Sequence, residues 1–252
     1  MILTSRLGQR WHQVTAVFGA FGLIAQLILS LSGVQVPAGL ADRPGLGLRF
    51  IRFFCYFTIQ SNLLVLVGVL PLALGLRGAH GSYDRRWWRV VRLAGVVGIT
   101  VTGIVHWFLL RDPDAMINFG WLVDRVLHLV VPLLAVVGWL LFGPRPRIDA
   151  PTIRGAVAWP VLWLISTLTV GGVTGWVPYP FLDAELTGAG TIVLTLVGIT
   201  VMFLGLAFLA WWGDRQLPGG RPAPGEMPRT GAGDQSKIGP TVRDRFSSKN
   251  PE

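Results

Sequence analysis

Hydrophobic residues run through this chain in long blocks that no charged residue interrupts. Six windows of at least 18 residues contain no Asp, Glu, Lys or Arg, and they cover residues 11–41, 53–76, 93–110, 126–144, 155–182 and 186–213. A helix of about 20 apolar residues crosses the hydrocarbon core of a bilayer, which is about 30 Å thick. Strands of a membrane barrel would instead alternate over about 10 residues. The pattern therefore predicts an all-α membrane protein with six transmembrane helices.

Helix breakers, charges and interfacial tryptophans limit the predicted spans to residues 14–31, 50–74, 90–110, 121–142, 155–175 and 190–212. From residue 214 onward, Gly, Pro, Ser and charged residues dominate. Such a segment cannot bury enough apolar surface to offset its chain entropy. We therefore expect a transmembrane domain over residues 1–213 and a disordered basic tail over residues 214–252.

Basic residues concentrate in alternate loops of this arrangement. One side carries Arg6, Arg10, Arg77, Arg85, Arg86, Arg89, Arg92, Arg145, Arg147, Arg154 and seven more in the tail, and the other side carries Arg43, Arg49, Arg52, Arg111 and Arg125. The positive-inside rule then places both termini in the cytoplasm. This placement accounts for the net charge of +9 without a nucleic-acid partner. The expected location is the cell membrane, with multiple spans.

Three side chains that could carry chemistry lie inside these spans, at Thr58, His106 and His128. At a helix rise of about 1.5 Å per residue, each lies roughly 8–10 Å below the outer surface. Asp124 and His128 are four residues apart and share a helix face. A carboxylate can orient the imidazole, and an imidazole can activate a hydroxyl as a nucleophile. Ionisable groups at such depth are costly and usually functional.

Structural roles are open for the same residues. A threonine in a membrane helix commonly donates to the carbonyl four residues earlier. Gln60, Ser61 and Asn62 could join helices through hydrogen bonds, and Asp124 could pair with the neighbouring Arg125. In that case the protein would be a structural or regulatory partner.

A metal site is the competing chemical interpretation. His106, Asp124 and His128 form a three-ligand set, but no HExxH or similarly dense ligand spacing accompanies them. We therefore expect no metal and no other cofactor. A non-enzymatic protein that binds or transports a lipid or a small molecule would use the same polar cluster as its ligand site.

Three segments carry a family resemblance. Residues 173–182 read Val-Thr-Gly-Trp-Val-Pro-Tyr-Pro-Phe-Leu, His128 and Pro132 form an H-x-x-x-P pattern, and Thr58 follows Tyr56 and Phe57. These segments resemble the androgen-induced membrane hydrolase family, and residues 53–64 are similar to a run in its bacterial six-helix relatives. The animal members have a histidine just before the VTG segment, where this chain has two glycines.

The resemblance implies a threonine-dependent intramembrane enzyme, because the family cleaves fatty acid esters of hydroxy fatty acids. Residue by residue, it assigns the nucleophile to Thr58 and the catalytic histidine to His128. We therefore expect a lipid-ester hydrolase whose site lies in the outer half of the bilayer, with a membrane lipid or fatty acyl ester as substrate. Asp124 would orient His128. The expected substrate and oxyanion contacts come from the side chains of Gln60, Asn62, His106 and Tyr179.

Overall fold

The computed structural model describes residues 6–33, 44–76, 85–110 and 118–218, and within them every regular element is a helix. The longer helices are α1 (Arg6–Ser32), α2 (Leu46–Cys55), α3 (Phe57–Ala73), α4 (Arg86–Val105), α5 (Asn118–Arg125), α6 (Val131–Phe142), α7 (Ala150–Thr174) and α9 (Ala189–Gln216). A short α8 (Ala184–Thr187) follows a 3₁₀ turn at Pro180–Leu182. Two π-helical turns, His106–Leu110 and Val126–Val130, extend α4 and join α5 to α6.

Five of these helical segments are long and apolar enough to cross a membrane. They are Arg6–Ser32, Arg86–Leu110, Phe119–Phe142, Ala150–Thr174 and Ala189–Gln216. A sixth crossing results if α2 and α3 together form one span. The predicted all-α fold is therefore confirmed for the described residues, with five or six segments long and apolar enough to span a membrane. The orientation of the termini stays a prediction.

The second predicted span differs from expectation, because it is not one continuous helix. α2 and α3 meet at Tyr56 with a bend of 72°, and Tyr56 has extended backbone angles (φ −76°, ψ 122°). Counting helix rise from Arg52 therefore does not give the depth of Thr58, since the helix axis changes direction between the two residues. Instead, Thr58 is the second residue of a new helix.

Side chains from α7 and α3 satisfy the backbone at this break. The carbonyl oxygen of Cys55 accepts hydrogen bonds from Trp163 Nε1 at 2.8 Å and from Thr167 Oγ1 at 3.3 Å. The Phe54 carbonyl accepts from Gln60 Nε2 at 2.8 Å. A backbone carbonyl without a partner is costly in an apolar environment, so broken membrane helices depend on such neighbours. The break is a stabilised feature of the fold.

The centre of the bundle is α3, which packs against α1 and α4. At Gly95 in α4, an added Cβ would lie 3.0 Å from backbone atoms of Leu64 and Val65 in α3. Glycine therefore lets the two helix backbones approach closely, as small residues do in membrane bundles. α4 also packs against α6, α7 and α9. Through this packing, α4 holds the first residues of α3 close to the helices that carry the remaining polar side chains.

A polar network joins the segment between α6 and α7 to the end of α9. The backbone N–H groups of Arg147 and Ile148 donate to Asp214 Oδ2 at 2.6 Å and 2.8 Å. Asp149 caps α7 by accepting from Thr152 N at 2.9 Å, and it pairs with Arg89 at 3.1 Å. Two carboxylates therefore anchor this loop, in addition to the packing of Ile148 against the hydrophobic core.

The last helix continues through Gln216, three residues past the boundary predicted at residue 213. Most of the predicted disordered tail, residues 219–252, lies outside the described residues. Three segments that the sequence predicts as loops, residues 34–43, 77–84 and 111–117, also lie outside the described residues. They include Arg43, Arg77 and Arg111.

Candidate active site

Thr58 lies beside His128, although the two residues belong to different helical segments. The distance between Thr58 Oγ1 and His128 Nε2 is 3.1 Å. Thr58 is 7% exposed, so water competes little for this contact. A hydroxyl at hydrogen-bond distance from an imidazole nitrogen has the arrangement in which the imidazole can accept the hydroxyl proton.

The other ring nitrogen of His128 faces Asp124. His128 Nδ1 lies 2.9 Å from Asp124 Oδ1 and 3.0 Å from the Asp124 carbonyl oxygen. Both acceptors favour a proton on Nδ1, which leaves Nε2 as the acceptor toward Thr58. The side chains thus form a chain from hydroxyl to imidazole to carboxylate, which is the arrangement of catalytic triads on unrelated folds.

A π-helical turn carries His128. Val126–Val130 lies between α5, which ends at Arg125, and α6, which begins at Val131. Pro132 has no N–H to bond the carbonyl of His128 four residues earlier, and π-helical turns are frequent at functional sites. The local sequence thus accounts for an irregular helix at the position of the imidazole.

His106 completes the cluster from the C-terminal π-turn of α4. Its ring stacks on that of His128, with centroids 3.9 Å apart and planes 17° apart. Its Nε2 lies 3.4 Å from Asp124 Oδ2 without the geometry of a hydrogen bond. The two stacked imidazoles therefore face one carboxylate.

The same three side chains also satisfy a geometric condition for metal binding. One potential ligand atom from each of His106, Asp124 and His128 lies within 4.8 Å of the others. Two histidines and a carboxylate are a common donor set for zinc. The absence of a metal from the functional protein therefore stays a prediction.

Tyr179 reaches the site from the loop after α7. Its hydroxyl oxygen accepts a hydrogen bond from the backbone N–H of Thr58 at 3.4 Å, and the residue is 7% exposed. Burial raises the pKa of the Tyr179 phenol to about 12, against the opposing effect of its hydrogen bonds with Thr58. The phenol is therefore protonated at neutral pH and can donate a hydrogen bond.

The VTG…YPFL segment positions this tyrosine. α7 ends at Thr174, and Gly175 follows with φ of +66°, a left-handed conformation that favours glycine at a helix C-terminus. Tyr56 packs edge-on against Trp176 and Tyr179, with ring centroids 5.8 Å away in both cases. The loop therefore packs onto the break between α2 and α3, next to Thr58.

The amides expected to bind an oxyanion have other contacts. Asn62 Nδ2 donates to the carbonyls of Thr58 and Leu127, at 2.8 Å and 3.3 Å. Gln60 Nε2 donates to a carbonyl at the helix break, and its oxygen accepts from Trp159 Nε1 at 2.8 Å. In this arrangement the amide groups of both side chains join helices, whereas Tyr179 contacts the Thr58 N–H and His106 stacks on His128.

Sequence reasoning missed the backbone donor at Thr58. A helix leaves its first N–H groups without intrahelical partners, and its N-terminus carries a partial positive charge. Because α3 begins at Phe57, the N–H of Thr58 is such a group. No glycine or proline lies between residues 48 and 67 to indicate a helix break there. The sequence therefore did not predict that the Thr58 N–H lies at a helix N-terminus.

Two cavities meet at Thr58 and Tyr179. One, of about 290 Å³, is lined by the polar cluster of His106, Asp124 and His128, together with residues of α1 and the loop after α7. The other, of about 130 Å³, is lined mainly by aliphatic and aromatic side chains of α3, α4, α7 and α9. The candidate nucleophile therefore lies on the boundary between a polar chamber and an apolar chamber.

No model of a protein family matches the chain, and no solved structure matches it.

Proposed function

We propose that this protein is an intramembrane hydrolase of lipid esters in which Thr58 is the nucleophile and His128 the general base. The observation that carries the proposal is the continuous contact from Thr58 Oγ1 to His128 Nε2 and from His128 Nδ1 to Asp124. The sequence resemblance to the androgen-induced membrane hydrolases assigns the same threonine and histidine. The active site would lie in the outer half of the bilayer, as the distribution of charges predicts.

In the first half-reaction, Thr58 Oγ1 attacks the ester carbonyl carbon while His128 Nε2 takes the hydroxyl proton. The carbonyl oxygen becomes a tetrahedral oxyanion, and Asp124 stabilises the imidazolium. Collapse of this intermediate breaks the bond to the alcohol oxygen, which leaves with the proton from His128. The products of this step are a free alcohol and an acyl ester on Thr58.

The developing oxyanion has two donors beside the nucleophile. The Thr58 N–H donates to the Tyr179 hydroxyl oxygen, 3.4 Å away. An oxyanion beside this pair would take over the hydrogen bond from the Thr58 N–H and accept a second one from the Tyr179 O–H. The positive end of α3 adds to this stabilisation. Removal of one oxyanion donor typically costs about 10²–10³ in kcat, or about 3–4 kcal/mol. These donors replace the amide side chains expected from the sequence.

Water completes the reaction. It attacks the acyl-Thr58 carbonyl while His128 Nε2 takes its proton, and the collapse of the second intermediate returns the proton to Thr58 Oγ1. The fatty acid leaves and the free enzyme is restored. The polar chamber around His106, Asp124 and His128 offers space for this water.

Fluorophosphonate labelling of the purified protein tests the proposal. Attack of Thr58 Oγ1 on phosphorus would expel fluoride, transfer the hydroxyl proton to His128 and leave a stable adduct that mass spectrometry can locate. We expect this adduct on Thr58, and its loss in Thr58→Ala and His128→Ala. Thr100→Ala is the matched control, since Thr100 donates only to its own helix at Val96.

Other outcomes favour other functions. A folded protein without an adduct would favour the alternative, a protein that binds or transports a lipid or small molecule with the same polar cluster. Labelling or ester turnover that is lost with a chelator and restored by zinc would favour metal binding at His106, Asp124 and His128. Comparable ester turnover by Thr58→Ala would contradict the threonine mechanism itself.

A further inference from the structure

α7 and α9 leave a cleft between them. α4 packs against both helices, but among the described residues α7 and α9 make little contact with each other. The apolar chamber of about 130 Å³ lies in this cleft, with Val101 and Val105 of α4 on its inner side. Close packing is the rule in protein interiors, so a cavity between two helices that reaches the candidate nucleophile is a candidate binding site.

The chemistry of the lining restricts that occupant. Among the described residues, no charged side chain lines the apolar chamber, and its polar groups are three threonine hydroxyls, the Tyr179 phenol and the Trp163 indole, which donates to the Cys55 carbonyl. Two of these polar residues, Thr58 and Tyr179, also line the polar chamber. A headgroup or an ion would lose hydration here without receiving a compensating partner. An alkyl chain matches the apolar lining, and an ester group at its end would contact Thr58 and Tyr179.

The chamber opens sideways. Val161 of α7 and Leu204 of α9 both line it, yet they are 51% and 46% exposed. Both lie on helices that are apolar enough to span a membrane, so their exposed surfaces face lipid. An acyl chain can therefore pass between the bilayer and Thr58 without crossing water.

We infer that the cleft between α7 and α9 binds the acyl chain of the substrate, while the alcohol portion lies in the polar chamber. This inference rests on the proposed hydrolase function, and it adds the orientation of the ester and a determinant of chain length. An apolar cavity of about 150 Å³ holds a benzene molecule. The enclosed part of the chain is therefore about six carbons, and the remainder extends through the opening into lipid.

This orientation of the ester places the alcohol leaving group on the side of His128. Acyl transfer to Thr58 leaves the chain in the apolar chamber and releases the alcohol on the side of His106, His128 and Asp124, from which His128 can protonate it. The water of the second half-reaction then enters from the same polar side. Selectivity for the acyl part would arise from α7 and α9, and tolerance for the alcohol part from the larger polar chamber.

Matched tryptophan substitutions on both helices test the inference. Val161→Trp and Thr200→Trp place a bulky ring at residues that line the cleft, and Leu162→Trp and Val201→Trp place the same ring at exposed neighbours that do not. All four positions are exposed, so the substitutions leave the core intact. The measurement is kcat/KM in nanodiscs for p-nitrophenyl esters from acetyl to decanoyl.

We expect the two cleft variants to lower kcat/KM for the decanoyl ester by about tenfold or more, as steric exclusion from an apolar pocket does. In the same two variants, kcat/KM for the acetyl ester should stay within about twofold of the wild-type value, because its reaction uses only Thr58 and its polar neighbours. The two neighbouring variants should retain the wild-type profile. An unchanged profile in the cleft variants, or an equal loss for acetyl and decanoyl esters, would overturn the inference.

A second measurement separates this inference from the proposed function. A decanoyl ester with a diazirine on its chain is photo-crosslinked to the wild-type protein, and the sites are mapped by mass spectrometry. Crosslinks to α7 and α9 at the cleft, without ester turnover, would support the binding site and contradict the hydrolase. Crosslinks elsewhere, together with turnover of the acetyl ester, would be consistent with the proposed hydrolase function. They would contradict the binding of the acyl chain between α7 and α9.

Discussion

Thr58 Oγ1 and His128 Nε2 lie 3.1 Å apart, although the two residues are 70 positions apart in the chain. The approach depends on the break at Tyr56, which makes Thr58 the second residue of α3. It also depends on the π-helical turn that carries His128. Two departures from regular helix geometry thus place a hydroxyl, an imidazole and a helix N-terminus at one point.

The Asp124 carboxylate should be needed for turnover but not for folding. Asp124→Asn keeps the size of the side chain and removes the charge that fixes the His128 tautomer, so kcat should fall by about 10⁴-fold, as in other triads. The ester assay measures this fall, and thermal unfolding in detergent should show little change. A variant with near wild-type kcat would show that Asp124 serves only to position the stacked histidines.

The Tyr179 hydroxyl should act on the transition state rather than on substrate binding. Tyr179→Phe retains the ring, which packs against Tyr56, and removes one donor to the oxyanion. We expect kcat to fall by about 10²–10³-fold with KM nearly unchanged. Steady-state kinetics with a soluble ester provide the test. A rise in KM at constant kcat would instead assign Tyr179 to ground-state binding.

Hydrogen bonds from α7 should stabilise the bend between α2 and α3. In the double variant Trp163→Phe and Thr167→Val, the Cys55 carbonyl loses both side-chain donors. A buried carbonyl left without partners costs about 1–3 kcal/mol, so the free energy of unfolding in micelles should fall by this amount. Ser166→Ala is the control, since its hydroxyl donates within α7 to Trp163. Equal stability of the two variants would contradict this role.

The cap at Asp149 predicts a pH dependence of stability. Hydrogen bonds from Thr152 hold the pKa of the Asp149 carboxyl below its usual range, and the charge of Arg89 adds to the effect. Because the pKa is lowered on folding, the contribution is present above the unfolded value of about 3.9 and is lost as the pH falls toward the folded value. The carboxylate must be charged to contribute in this way.

Asp149→Ala should therefore destabilise the protein by about 1 kcal/mol near neutral pH, and its difference from wild type should shrink below about pH 4. Asp149→Asn is the matched control, since an amide oxygen can still accept from Thr152 without titrating. Unfolding in micelles at neutral and acidic pH measures both differences. If the stability difference between Asp149→Ala and wild type is the same at neutral and acidic pH, the charge of Asp149 does not contribute to stability.

Much of this architecture could be predicted from the sequence, because membrane spans are set by composition over about 20 residues. The uncharged windows located the spans of α1, α4, α7 and α9 and the segment from Phe119 to Phe142. The spacing of Asp124 and His128 placed both on one helix face, and the structure has them 2.9 Å apart. These are relationships within one continuous helical segment, which its sequence indicates without knowledge of the neighbouring helices.

Only the tertiary structure decided the rest. The break at Tyr56 contains no glycine or proline and depends on hydrogen bonds from Trp163 and Thr167, which come from a helix more than 100 residues away. The stacking of His106 on His128 and the hydrogen bond from the Thr58 N–H to Tyr179 likewise join distant segments. Sequence patterns record which residues are polar within a span, whereas the packing of helices determines which of those residues meet.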